Sequence, residues 1–562
     1  MNRVVQKLPL GVQTFADIGD RLLYVDKTAY IAELIADFGT KAWFLSRPRR
    51  FGKSLLLSTL VALFSGQRKL FKGLAIEKRL DEEIFAARPV IRLDMSYAVT
   101  DMGIDEFRQS LGSLTSSRAI WQGGKWSLAR FLSSSPKAVR FKLTPNLSPA
   151  RILAELIEKL ATKSGRKVAV LIDEYDKPYL DLIKRPDEAE KVREALRAFY
   201  SVLKASDEYI SFIFVVGISK FTRMGVFSAM NNLTDISVLP KYASICGFTH
   251  EELSDKLGPY VEEAAQSLGM ASDDLLAKLK DYYDGFSFDG VTRVYNPFSI
   301  LLFLFYKRFS NYWFTSGTTQ VISQYIKDKI LTVEEFRGIE IGKDFAENPG
   351  EIDTATPASF FYQAGYLSLR PGVSRDSFIL DYPNREVYES MSRLLVENFV
   401  GDRVIATAIF VDLRKALGSG DAEALIGEFT KFLAEIPYDI YVKANRKAVK
   451  FRDSEIKFDE WLYHATLLSF LIGAGVNVRA EEHTSHGQSD MVAIYAGRVW
   501  VIELKMVRDG NDEDVAQGAL KQIRDKNYAG PYDNPLLLGI AINGAKRTIG
   551  AWAVEKKANH DA

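Results

Sequence analysis

Arg47-Pro48-Arg49-Arg50-Phe51-Gly52-Lys53-Ser54 is the stretch on which the fold turns. It follows a short apolar run, residues 41–46, that reads as a buried strand, and it leads into residues 53–64, whose dense leucines read as a helix. A strand, a basic turn ending in Gly-Lys-Ser and a helix have the order of a Walker A loop. In that setting backbone N–H groups and the positive end of the helix dipole face the phosphates of a nucleotide. Lys53 reaches the β and γ oxygens, and the Ser54 hydroxyl ligates Mg2+. Arg47 stands where such a loop normally has its first glycine. Taken alone, Gly-Lys-Ser also arises by chance on ordinary basic turns.

A second motif argues against chance. Residues 168–172 form an apolar strand followed by Asp173-Glu174, two carboxylates at the end where a parallel α/β sheet opens its ligand crevice. Asp173 is suited to hold Mg2+ through water and Glu174 to polarise the attacking water. Residues 89–93 and 211–217 read as further strands separated by helical stretches, which implies a parallel sheet covered on both faces. Ser219 lies where a side chain sensing the γ-phosphate would stand, or else it simply caps the strand. Arg49, Arg50 and Arg223 can each meet phosphate charge, and the sequence does not choose among them. The candidates for binding ATP are thus Arg49, Arg50, Phe51, Gly52, Lys53, Ser54, Leu55, Asp173 and Ser219, with Ser54 and Asp173 as ligands of its Mg2+ and Glu174 as the catalytic residue.

At 562 residues the chain is too long for one core and fits roughly three to four packed units. With 47% hydrophobic and 26% charged residues and no low-complexity tract, it is neither disordered nor fibrous. The formal net charge is +1, so contact with a polyanion must come from a local basic patch. A single cysteine, Cys246, excludes an intramolecular disulfide framework and argues against a cysteine zinc site. That suits a reducing compartment, and the cytoplasm is the expected location. Residues 1–20 carry no stretch apolar enough for a signal peptide, and no segment reaches the apolar length of a membrane span, so export or embedding is not expected.

Beyond residue 237 the pattern becomes helix-rich, with residues 249–268 and 273–283 as examples. Residues 360–370 and 377–381 read as two short strands flanked by helices. From residue 437 the alternation returns: a helix over 454–472, strands over 489–495 and 499–505, a helix over 514–527 and a strand over 536–542. No internal repeat has a solenoid period.

Several stretches then resemble one family. They are Tyr24-Val25-Asp26-Lys27-Thr28, residues 46–55, residues 171–175, the run from Gly217 to Phe221 with Asn231-Asn232-Leu233 and Asp235-Ile236-Ser237, and Tyr295-Asn296-Pro297-Phe298-Ser299. Together they resemble the bacterial AAA-ATPase-like proteins that carry a C-terminal PD-(D/E)XK nuclease domain, and the resemblance covers nearly the whole chain. Members share the Arg-Pro-Arg-Arg-Phe-Gly-Lys-Ser loop, which makes Arg47 a family trait. The resemblance implies an ATPase-coupled nuclease, with a role in defence or mobile-element control. The expected fold class is α/β: a P-loop NTPase parallel sheet over 1–237, a helical lid over 238–345, a mixed α/β connector over 346–436 and a C-terminal restriction-endonuclease-like α/β domain over 437–562.

In that last region the candidate catalytic residues are Glu460, Asp490, Glu503, Lys505 and Gln522. Hydrolysing a phosphodiester needs divalent cations held by carboxylates, an activated water and a positive group for charge developing on the phosphate. Oxygen ligands suit Mg2+ or Mn2+, and Asp490 and Glu503 are the candidate ligands. A turn at Ala496-Gly497-Arg498 lets a hairpin bring both acids to one end of a sheet. Side chains alternate along a strand, so Glu503 and Lys505 share a face. Lys505 then positions or deprotonates the water, or offsets phosphate charge. Glu460, one turn before His464, supplies a third carboxylate or is a surface residue of an amphipathic helix. The resemblance implies that Gln522 orients the site, with Lys521, Lys526 and Tyr528 beside it near a nucleic-acid backbone. A structural salt bridge between Glu503 and Lys505 is the plain alternative. Where the family has Gly-Arg-x-Asp, this chain has Gly487-Gln488-Ser489-Asp490, which removes one phosphate contact. His483 and His486 read as loop residues.

The leading expectation is an ATP-dependent enzyme acting on nucleic acid, with DNA favoured over RNA, no membrane partner, and a homo-oligomer left open. The rival is a nucleotide-switched binding or regulatory protein whose nuclease fold holds nucleic acid without cutting it.

Overall fold

The computed structural model describes residues 6–36, 40–79, 84–100, 103–117, 119–121, 126–127, 147–182, 185–220, 232–315, 319–327, 329, 331–347, 349–350, 356–436, 458–484, 487–508 and 510–556. The chain forms two compact units, Met1–Val321 with Gly338–Glu386, and Ile322–Arg337 with Val387–Ala562.

The sheet of the first unit is built from β1 (Ala42–Ser46), β2 (Val90–Asp94), β3 (Ala119–Trp121), β4 (Trp126–Ser127), β5 (Val168–Asp173), β6 (Ile210–Gly217) and β7 (Thr234–Asp235). They lie in the order β4-β3-β2-β5-β6-β1-β7. The five strands from β2 to β7 in that order are parallel, and β3 with β4 adds an antiparallel edge. Parallel strands covered on both faces need no polar alternation, and β5 is buried along its whole length. The covering helices include α1 (Lys53–Phe64), α2 (Ile104–Ser117), α3 (Pro149–Ser164) and α4 (Pro186–Ala205). Helix α3 shows why they form: Ser148 accepts a hydrogen bond from the Arg151 N–H, Pro149 opens the first turn, and Leu153, Leu156, Ile157 and Leu160 recur on the buried face.

The chain leaves β1 for the far side of the sheet, returns through β5 and β6, and then sets β7 on the other side of β1. The order therefore reverses at β1, and a ligand crevice opens beyond its C-terminal end.

Helices α5 (His250–Leu268), α6 (Ser272–Tyr283) and α7 (Pro297–Tyr306) follow, packed around Leu257, Tyr283 and Phe303. Thr249 and Glu252 close a capping box at the start of α5, and Glu252 also pairs with Lys27 at 2.6 Å. A short hairpin, β8 (Phe286–Ser287) with β9 (Arg293–Val294), and a sheet of β10 (Ile339–Gly342), β11 (Ser368–Pro371) and β12 (Ser377–Asp381) complete the unit. The strand expected over 360–370 is a helix in its first part, α8 (Pro357–Ala364), and becomes a strand, β11, only from Ser368. Thr356 caps it by accepting from the Ser359 N–H, Pro357 opens it, and Gly365 at φ 87° ends it. These end signals outweigh the strand preference of Phe360, Phe361 and Tyr362.

The second unit holds helices α9 (Arg403–Ser419), α10 (Ala422–Glu435), α11 (Phe458–Gly473) and α12 (Asp512–Asp525) around a sheet. Its strands are β13 (Asn477–Thr484), β14 (Gly487–Tyr495), β15 (Arg498–Met506), β16 (Leu536–Asn543) and β17 (Thr548–Lys556), in sequence order across the sheet. Only β15 and β16 run parallel, with α12 as their crossover. Val501 points to the α12 side with Val492, Leu520 and Leu537, while Trp500 and Ile502 point to the other side with Phe470 and Phe432. That second core contains residues of α9 and α10, such as Phe410 and Phe429, so the division expected at residue 437 does not separate two cores.

Candidate functional sites

In the first unit, Gly52 at φ 94° and Arg50 at φ 64° take left-handed backbone to turn from β1 into α1. Glycine does so freely, and arginine against the crowding of its Cβ. Arg47 is fully buried, and its guanidinium donates to the carbonyls of Ser46 at 2.8 Å, Ser237 at 2.8 Å and Tyr242 at 3.0 Å. It also lies over the Phe288 ring, 3.8 Å from the centroid. The residue in the glycine's place is therefore a strut inside the unit. Phe51, expected among the nucleotide contacts, has its ring buried against Phe286 and Phe288, so only its backbone remains for a ligand.

The Lys53 ammonium donates to the carbonyls of Arg47 at 2.8 Å and Pro48 at 2.9 Å. Burial lowers its pKa, against the pull of the Asp173, Glu174 and Asp176 carboxylates. Asp173 ends β5 with 2% of its surface exposed. Burial raises its pKa, while a hydrogen bond from Ser54 and the charge of Lys53 oppose the rise. Arg92, on β2, approaches Asp173 at 3.7 Å. Glu174 sits at φ 49°, and its carboxyl is also raised, chiefly by burial. Lys53, Ser54, Asp173 and Glu174 are thus brought together beyond the C-terminal ends of β1 and β5, as expected of phosphate chemistry.

Asp176, which the sequence did not single out, is fully buried. It accepts from the Ser219 N–H at 2.8 Å, the Ser219 hydroxyl at 2.8 Å and the Ile218 N–H at 3.1 Å. The Ser219 hydroxyl is thereby used as a strand-end cap. A Cβ on Gly217 would stand 2.5 Å from the Tyr175 ring, so the glycine lets β6 pass against this pair. Arg50 is exposed with its guanidinium 4.9 Å from the Phe298 centroid, Arg49 and Leu55 are half-buried, and Arg223 lies outside the described residues.

In the second unit, Asp490 lies on β14 and Glu503 on β15, next to the Met491–Ile502 pair of the ladder. The Asp490 carboxylate accepts from the Leu504 N–H at 2.7 Å, and the Asp490 N–H donates to Glu503 Oε2 at 3.4 Å. Gln522, projecting from α12, donates to Glu503 Oε1. His464 on α11 meets the Asp490 carbonyl at 3.1 Å. Glu503 is only 4% exposed, and burial together with the Asp490 charge pushes its carboxyl up to about 8. Lys505 is half-buried and its charge opposes the rise at Glu503, but among the described residues no ion pair joins the two.

A buried carboxylate, raised by burial and by its neighbour's charge, beside a half-buried one forms a set of hard oxygen donors that fits a divalent cation. Among the described residues no three His, Cys, Asp or Glu side chains converge on one point, so such an ion would draw its remaining ligands from water or substrate. Glu460 falls in the first turn of α11, and its side chain lies outside the described residues. Tyr528, expected near a nucleic-acid backbone, is instead buried in the core beneath α12, while Lys521 and Lys526 are exposed. His483 belongs to β13 and pairs with Gln488, whereas His486 lies outside the described residues. Histidine 464 could have been found only through the helical face it shares with Glu460.

A phosphate-binding turn on a parallel sheet and an acid pair on a mixed sheet define the class: a P-loop ATPase module and a nuclease module in one chain. Residues 9–227 match the model of a predicted AAA-ATPase, and residues 458–552 match that of the PD-(D/E)XK nuclease superfamily. A protein of Azotobacter chroococcum mcd 1, described as an uncharacterized protein in vnfD 5'region, is 33% identical over 560 residues, which is 98% of this chain and 99% of the relative. The chain belongs to that family, the AAA-ATPase-like proteins with a C-terminal PD-(D/E)XK nuclease domain. Among the described residues no helix is long and apolar enough to cross a membrane.

Proposed function

We propose that the chain binds and hydrolyses ATP in its first unit and cleaves nucleic-acid phosphodiester bonds, with DNA favoured over RNA, in its second, the nucleotide state gating the cut. The observation that carries this is the Asp490–Glu503 pair, oriented by the Leu504 N–H and Gln522 and placed two residues from Lys505. Burying one acid against another is costly unless a cation or proton offsets the charge. That supports a site built to receive one.

Asp490 and Glu503 would hold Mg2+ or Mn2+, which supplies a Lewis acid for the phosphate oxygens and a lowered pKa for bound water. Gln522 keeps the Glu503 carboxylate turned toward Asp490. Lys505, on the same face of β15 as Glu503, offers its ammonium to the phosphate or to the attacking water. In the first unit Ser54 and Asp173 would hold the Mg2+ of the nucleotide, Lys53 meets phosphate charge, and Glu174 orients water. A setting in defence or mobile-element control accompanies this reading through the family alone.

The test is cleavage of single- and double-stranded DNA and RNA with and without ATP and with Mg2+ or Mn2+. Lys53→Ala is expected to lower ATP hydrolysis roughly a hundredfold or more. Asp490→Ala is expected to abolish cutting while the chain stays folded by circular dichroism. An Asp490→Ala protein that cuts like the parent refutes the assignment. Retained binding without cleavage in the parent would instead favour a nucleotide-switched binding protein, a reading that Gln488 in place of the family's arginine also favours.

A further inference from the structure

The Tyr295-Asn296-Pro297-Phe298-Ser299 run has no part in the chemistry described so far, yet it is buried against the phosphate-binding turn. Asn296 is fully buried, and its Oδ1 accepts from the Ser299 N–H at 3.1 Å, capping α7. With the oxygen so used, Nδ2 is left facing the Arg49 carbonyl, 3.5 Å away. The same carbonyl accepts from the Trp313 indole N–H at 3.1 Å. Trp313 is held in turn: its backbone N–H donates to Glu386 at 2.7 Å, and the Ser299 hydroxyl donates to the same carboxylate at 2.8 Å. Asn296, Ser299, Trp313 and Glu386 are all fully buried.

The carbonyl they hold belongs to the peptide that precedes Arg50, the residue at φ 64°. In a trans peptide the carbonyl and the N–H point in opposite directions. Two donors on the Arg49 oxygen therefore fix the plane of that peptide and turn the Arg50 N–H the other way. Glycine would accept the left-handed turn unaided; arginine does not.

We propose that Asn296 and Trp313, oriented by Ser299 and Glu386, are positioning residues that hold the phosphate-binding turn in its left-handed shape, doing for Arg50 what a glycine would do by itself. This rests on the ATP-binding reading of the turn. Trp313→Phe keeps an aromatic ring and removes the donor.

The experiment is isothermal titration of the full chain with ATP and Mg2+ for four proteins: parent, Trp313→Phe, Arg50→Gly and the double variant. Trp313→Phe is expected to weaken ATP binding about tenfold in the parent, the usual order for a buried hydrogen bond. In the Arg50→Gly background, where the turn needs no support, the same substitution is expected to cost less than about twofold. A cavity effect of the smaller ring would appear equally in both backgrounds, and that result overturns the proposal, as does a Trp313→Phe protein that binds like the parent. A parent that binds no ATP overturns the ATP reading and this one with it.

Discussion

Glu503 is pushed up to about 8 by burial and by Asp490, whereas the same group in an unfolded chain titrates near 4.5. The folded chain therefore holds more protons than the unfolded one between those values, and its stability falls as the pH rises through that window. A divalent cation offsets the charge that Glu503 acquires. The expected result is a melting temperature that declines from about pH 5 to pH 8 without divalent ions and flattens when Mn2+ is added. Glu503→Gln is expected to raise metal-free stability at pH 8 by about 1 kcal/mol or more while ending cleavage. A slope indifferent to both changes would remove Glu503 as its source. That Lys53 and Ser54 meet Asp173, and that Asp490 meets Glu503, is legible in the sequence, because the motif order and the hairpin bring them together. The contacts of Arg47, Asp176, His464 and Tyr528 are not, because where a side chain points depends on neighbours tens or hundreds of residues away. Arg47, for instance, is claimed by carbonyls at Ser237 and Tyr242.

Helix α12 carries Gln522 and lies directly over β16. A Cβ on Gly539 would stand 2.5 Å from the Ala516 carbonyl and 2.5 Å from the Leu520 nitrogen, so no larger residue fits without moving the helix. Gly539→Ala is expected to destabilise the unit by about 1–3 kcal/mol and to draw Gln522 from Glu503. Cleavage should fall further than the loss of folded protein explains, as read from initial rates normalised to the folded fraction. Elements with strong end signals or continuous apolar runs, such as α1, β5 and β15, could be read from the sequence nearly to the residue. The strand expected at 360–370 begins only at Ser368 because the Thr356, Pro357 and Gly365 boundary signals carry more weight than three aromatic residues between them. Strands β13 and β17 carry a weak signal in the sequence because edge strands need only one apolar face, and in β17 only Ala553 is buried.

At the scale of the whole molecule the sequence marks where the chemistry changes, and the packing marks where the cores lie. Phe432 of α10 stacks on Phe470 of α11 at 4.2 Å, and the Trp500 indole donates to the Leu417 carbonyl of α9 at 3.2 Å. A fragment over residues 437–562 would leave that face bare. It is expected to bind a hydrophobic dye and to aggregate, whereas the full chain does neither; a soluble fragment with a cooperative melt would show that α9 and α10 are dispensable. The two units also interleave along the chain, since Ile322–Arg337 belongs to the second although Gly338–Glu386 returns to the first. On a ribosome adding about 5–20 residues per second, that short piece emerges about 3–11 s ahead of Tyr388, whose hydroxyl donates to Glu334 at 2.8 Å. Until then Val333 and Phe336, both buried in the finished protein, flank a segment that lacks its Tyr388 partner, which marks it as a place for a chaperone to hold the nascent chain.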